Sequence, residues 1–189
     1  MTRFLSAFLL ITLAFLIFAC NSQKKARENP FSYCDTVRID TRMLSDDSGM
    51  ADQYVSDSFI NMASEVYTIN NLREDYSRLL SMKRVPFRNV HDTTQVDTIY
   101  HFTGKRDSIK FYRSRSKAFM ILLDVSSPEL GLDRCIRPGM SKKTFLSIFQ
   151  IPGSTSDTIR ISNRDGTLIF IFYFRDNTLK RIESDIYFG

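Results

Sequence analysis

The sequence predicts an α+β fold, an antiparallel β-sheet with helices packed on one face, arranged as two tandem helix-plus-three-strand units. Three observations lead there. Apolar residues recur at steps of three or four in two separate regions, the pattern of amphipathic helices. Each region precedes segments of period two, rich in Phe, Tyr, Ile and Val and punctuated by Gly, Asp, Asn and Ser. Finally, DTIYHFTGKRDSIKFY (97–112) is echoed by DTIRISNRDGTLIFIF (157–172), which places a possible repeat at about 50–125 and 133–189.

Taken in order, residues 20–30 form a polar tether ending at Pro30, and the domain spans 31–189. A short strand is expected at Asp35–Ile39. Ala51, Val55, Phe59, Met62 and Val66 share one helical face and predict a helix over 50–67. Asn71-Leu72-Arg73-Glu74 has the form of a capping box. Leu72, Tyr76, Leu79 and Leu80 extend a second helix over 72–83, with Pro86 ending it. Strands follow at 96–102, 107–113 and 117–125, with turns at Gly104-Lys105 and Ser114-Arg115-Ser116. Ser126-Ser127-Pro128 breaks the pattern. Gly139, Met140 and Ser141 then open a third helix, with Ser141 as N-cap, an apolar face of Phe145, Ile148 and Phe149, and a stop at Pro152-Gly153. The last strands are 157–162, 167–174 and 178–188, joined by turns at Asp165-Gly166 and Asp176-Asn177. TLIFIFYF is apolar on both faces, which predicts an interior strand.

The N-terminus carries an address. Arg3 is followed by an almost wholly apolar run, Phe4–Phe18, and then by Ala19-Cys20 and the polar stretch NSQKKAREN. A basic start, a run of about 15 apolar residues and a small residue before the cut describe a secretory signal over 1–19. Such a run is short for a spanning helix, which needs about 20 residues. Ile17-Phe18-Ala19-Cys20 resembles the lipobox of bacterial lipoproteins, Phe18 being bulkier than the pattern favours. The resemblance implies cleavage between Ala19 and Cys20 and acylation of Cys20, and two or three acyl chains anchor a protein stably. By the same resemblance, Asn21 in place of an acid implies an outer-membrane destination, and the lack of an acidic cluster from Asn21 to Arg27 implies a periplasm-facing position.

The chain carries 26 Lys and Arg against 21 Asp and Glu, a net of +5. Scattered among acids, that charge does not describe a nucleic-acid binder. The segment KFYRSRSK (110–117) interleaves cations and aromatics, a composition used on anionic lipid headgroups and on single strands, and equally the outward face of a strand pair. In an oxidising envelope Cys34 and Cys135 form a disulfide or remain two buried thiols. Neither has zinc-ligand spacing with His91 or His101.

Arg137-Pro138-Gly139-Met140-Ser141-Lys142-Lys143, the short helix after it, Ile151-Pro152 and the strand around Phe172–Leu179 resemble the small outer-membrane lipoproteins of the SmpA/OmlA (BamE-like) type. The beta-lactamase inhibitor proteins share the unit in tandem. The likeness covers Asp133–Glu183, and Gln150-Ile151 departs from the family's Leu-Gly before Pro152. It implies the fold and an accessory role in the envelope.

No phosphate loop, nucleophile elbow or paired-histidine motif is present, so the sequence predicts no enzyme, no catalytic residue, no metal and no cofactor. Asp92 beside His91 lacks a nucleophile partner, and Asp46-Asp47 falls in an expected loop. The expectation is a lipid-anchored envelope protein that binds an unidentified protein partner. The alternative is a periplasmic inhibitor of a hydrolase, or a module for a small ligand or cell-wall fragment.

Overall fold

The computed structural model describes residues 39–44, 52–89, 92–132 and 135–186, all inside the compact unit Tyr33–Gly189. The expected leader, the tether, Cys20, Cys34, Asp46-Asp47 and His91 lie outside the described residues. The fold is α+β. Its elements are β1 (Arg42–Leu44), β2 (Asp52–Val55), α1 (Asp57–Val66), α2 (Ile69–Asp75), β3 (Ser81–Arg88), β4 (Val96–Thr103), β5 (Ser108–Arg113), β6 (Ala118–Val125), α3 (Lys142–Ile148), β7 (Thr158–Ser162), β8 (Leu168–Arg175) and β9 (Thr178–Ile186).

All nine strands join one sheet in the order β1-β2-β7-β8-β9-β6-β5-β4-β3. Two antiparallel meanders, β3–β6 and β7–β9, meet where β6 pairs with β9. The sheet is mixed, because β2 runs parallel to β7, with Tyr54 opposite Ile161. The α1–α2 segment and the whole first meander intervene between them, and a parallel pair requires such a long crossover.

Hydrophobic contact ties the helices to one face. Phe59 on α1 lies edge-on to Phe149, at 5.1 Å, and to Phe170 on β8, at 5.2 Å. Phe145 on α3 packs on Phe172 at 4.7 Å and Phe174 at 5.1 Å. Residues two apart on a strand share a face, so Phe170, Phe172 and Phe174 form one buried row under both helices. The row continues across the sheet through Ile182, Val125, Leu123, Ile109 and Phe102, all at most 1% exposed.

Several expectations are corrected. Residues 52–55 are a strand, and Ser56, not residue 50, starts the helix, its hydroxyl accepting from Phe59 N. The cap of α2 is Thr68, whose Oγ1 accepts from Asn71 N. Asn71 lies inside α2, and its amide donates to Glu65 O and Val66 O at the end of α1. The second helix stops at Asp75, and 81–88 form a strand instead. Pro86 fits there because β3 is a sheet edge, where a missing N–H costs little. The strand expected at Asp35–Ile39 lies outside the described residues except for Ile39, whose N–H donates to Ile148 O, and the first described strand is β1, from Arg42. The third helix ends before Pro152, where Gln150 adopts a φ of 52°.

The turns follow local chemistry. Gly166 has φ 67°, and Asp176 and Asn177 both have φ 53°, the left-handed conformation that tight hairpins require. At Gly104 a Cβ would meet Asp107 Oδ2 at 2.9 Å. That close approach lets the buried Asp107 accept from Ser126 N, Ser127 N and Ser127 Oγ, tying the β4–β5 turn to the exit of β6.

Candidate functional site

Alternation places a second set of side chains on the sheet face opposite α1 and α3. In the first meander Val85 sits opposite Ile99, Ile99 opposite Tyr112, and Tyr112 opposite Phe119. Phe87 joins them, its ring 6.1 Å from Tyr112, and Phe119 lies 5.2 Å from Tyr112 on the other side. Val85 is 38% exposed, and Phe87 and Phe119 are each 40% exposed. No described helix covers this cluster.

The cluster is held in place by a buried carboxylate. Asp97 is 3% exposed and accepts a short hydrogen bond from the Tyr112 hydroxyl. The Asn89 amide donates to the same Asp97 oxygen at 2.7 Å. The bond to Asp97, more than burial, raises the Tyr112 pKa, so the phenol stays neutral and donating. The central ring is thereby oriented before anything binds, which lowers the entropic cost of association.

The next row of the same face is basic: Lys83 opposite His101, and His101 opposite Lys110. His101 Nε2 lies 3.0 Å from Ser108 Oγ. Partial burial first, then Lys110 and Lys83, lower its pKa. Towards the sheet centre the face becomes a charge network. Arg181 makes paired hydrogen bonds to Asp124 at 2.7 and 2.8 Å and an ion pair with Glu183. Glu183 also accepts from the Tyr173 hydroxyl at 2.5 Å. Ile169 and Ile171 beside it are half-buried.

The Gly139-Met140-Ser141 motif serves the scaffold. Gly139, at φ 96°, donates to Leu179 O, Leu179 N returns to Met140 O, and Lys142 N donates to Asn177 O. Ser141 Oγ caps α3 by accepting from Thr144 N. The motif thus clips α3 to the β8–β9 hairpin. Lys142 is buried, and its ammonium donates to Ser156 O at 2.6 Å. Cys135 is fully buried and disulfide-bonded.

His101 and Ser108 pair an imidazole with a hydroxyl, but the charged groups beside the ring are Lys110 and Lys83, not a carboxylate that would orient it as a base. Asp92 is bound by Thr94 and Gln95, whose hydrogen bonds lower its pKa. Among the described residues every buried side-chain nitrogen and oxygen has a hydrogen-bond partner, and no group of three or more His, Cys, Asp and Glu is placed to hold a metal. No described helix is long and apolar enough to cross a membrane. The sequence reading missed the aromatic cluster. Its members come from four strands and alternate with core residues, so the signal lies only in the odd positions Val85, Phe87 and Phe119 of apolar strands.

Comparison with protein-family models, with curated proteins and with solved structures finds no match for this chain.

Proposed function

We propose that this is a non-catalytic, lipid-anchored cell-envelope protein that binds a protein partner with the aromatic cluster around Tyr112. The observation that carries this reading is the exposure of Phe87, Phe119 and Val85 around a tyrosine whose hydroxyl is already fixed. Aromatic side chains are enriched in interface cores, and rigid ones bind at low entropic cost. The basic row Lys83–Lys110 flanks the cluster as a polar rim.

The anchor is the acylated Cys20 of the lipobox, and the place is the periplasmic face of the outer membrane. The strands β4–β6 and the strands β7–β9, each set of three preceded in the chain by helix, are read as two copies of one unit joined at β6 and β9, with β3 as an addition to the first. Cys34 is proposed as the partner of Cys135. A hydrolase inhibitor is the special case in which the partner is an enzyme; rate assays with purified envelope hydrolases decide it.

The test uses the full chain in its own membrane. Wild type and a Phe87→Ala, Phe119→Ala double variant are crosslinked, and bound proteins are identified by mass spectrometry. One partner is expected to be enriched with wild type and lost by at least about thirtyfold with the variant, as for two anchors of interface quality. Equal recovery with both removes the reading. Labelled palmitate entering wild type but not Cys20→Ser tests the anchor separately.

A further inference from the structure

We propose that a cleft on the helix side of the β5–β6 hairpin binds an anionic phospholipid, its phosphate among three cations and its first acyl carbons on an apolar floor. The cleft has a volume of about 800 Å³ and lies between the α1–α2 junction and the hairpin. Phe111, Met120 and Leu168 line it from the sheet, and Arg113, Arg115 and Lys117 line its rim. This volume falls within the range of small-molecule sites.

The cations are free to act. None of Arg113, Arg115 and Lys117 takes part in an ion pair among the described residues. The turn that carries them is fixed: Ser114 N donates to Lys117 O at 2.9 Å, and Lys117 N donates to Ser114 Oγ at 3.2 Å. Among the described residues no acid lines the cleft.

The meander that carries the cleft is basic as a whole, with Arg113, Arg115 and Lys117 at the cleft and Lys83 and Lys110 on the opposite face. Ser81–Val125 contain nine Lys and Arg against four Asp, a surplus equal to the chain's entire +5. Of those acids, Asp97 and Asp107 are buried, and Asp124 is paired with Arg181. Asp92 is tied to Thr94 and Gln95. The surplus is therefore not offset locally.

The chemistry selects the ligand. Arginine recognises phosphate through several N–H donors at once. A small free anion would leave the apolar floor wet, whereas an acyl chain covers it. A zwitterionic lipid would bring its own cation among three others. The cleft opens on the helix side of the sheet, away from Phe87 and Tyr112; Phe119, at the edge of the hairpin, borders both the cleft and the aromatic cluster. The inference depends on the lipid-anchored reading only in that the anchor brings a bilayer within reach.

The test places a photoreactive benzoylphenylalanine at Met120 of the full chain. The protein is reconstituted in vesicles of phosphatidylcholine alone, or with about one third phosphatidylglycerol. Phospholipid adducts are expected in the anionic vesicles and at background level in the neutral ones. Each cation near an anionic surface contributes about fivefold, so Arg113→Gln, Arg115→Gln, Lys117→Gln is expected to lower the adduct yield about a hundredfold. Arg115→Gln, Lys117→Gln, confined to the exposed turn, guards against misfolding and is expected to lower it in proportion. Equal yields in both vesicles, or no effect of either variant, overturn the site. Loss of yield to inorganic phosphate but not to chloride of equal ionic strength overturns the bilayer as source. In native membranes, protein adducts in place of lipid adducts at this position also overturn it. None of these outcomes touches the partner reading, which Phe87, outside the cleft, decides by itself.

Discussion

Phe59→Ala removes the ring that joins the first helix to the second half of the sheet. Phe59 is 0% exposed. Its ring meets Phe149 at 5.1 Å, Phe170 at 5.2 Å and Phe172 at 5.9 Å. Truncating a buried Phe costs about 3–5 kcal/mol, the upper part when the surroundings cannot collapse. Here the neighbours are themselves pinned: Phe170 and Phe172 by the sheet, and Phe149 by Phe145 at 4.5 Å. The expected loss is therefore about 4 kcal/mol, a large share of the ~5–15 kcal/mol that holds a domain together. Urea unfolding followed by circular dichroism measures it, with the midpoint falling and the slope unchanged. Phe119→Ala, at 40% exposure, is expected to cost under about 1 kcal/mol by the same assay. A loss below about 1.5 kcal/mol for Phe59→Ala would refute the picture of α1 and α3 sharing one core with β8.

Asp107→Ala leaves Ser126 N and Ser127 N without their buried acceptor, and should cost about 2–4 kcal/mol in the same unfolding assay. Cys135→Ser, or reduction of the wild type, removes the disulfide at a cost of about 2–5 kcal/mol; non-reducing peptide mapping is expected to pair Cys135 with Cys34. His101 has a lowered pKa, so the folded state disfavours its protonation. Its share of stability is intact above the ordinary value of 6.5 and is lost as pH falls below it. His101→Gln should flatten the stability–pH curve on that acid side, and an unchanged slope would show that His101 is not the group responsible. Ser141→Ala removes the α3 cap and should lower stability by about 1 kcal/mol, read as a shift in midpoint.

What the sequence shows and hides follows from the range of the forces involved. Helix α3 is legible because its cap, its aromatic spacing and its glycine are neighbours in the chain. The hairpins β5–β6, β7–β8 and β8–β9 are legible for the same reason, since Ser114-Arg115-Ser116, Asp165-Gly166 and Asp176-Asn177 make their turns. β3 is not. Leu72, Tyr76, Leu79 and Leu80 continue a helical spacing past Asp75, and Pro86 looks like a stop until β3 is known to be an edge. The parallel β2–β7 pair is set by contacts a hundred or so residues apart, such as Tyr54 opposite Ile161. The surface cluster is hidden by strand alternation. In FYRSRSKAFM the sequence shows aromatics and cations together, but only the pleat sends Tyr112 and Phe119 to one face and Phe111 and Met120 to the other.

Photo-crosslinking across the sheet tests the central claim, that the face opposite the helices is where a protein docks. Benzoylphenylalanine replaces Phe87, Phe119 or, as a control on the helix side, Arg73 of α2, in the full chain in intact cells. The account predicts one shared protein adduct from the two cluster positions and none from Arg73. Adducts from Arg73 alone, or unrelated proteins from Phe87 and Phe119, would contradict it.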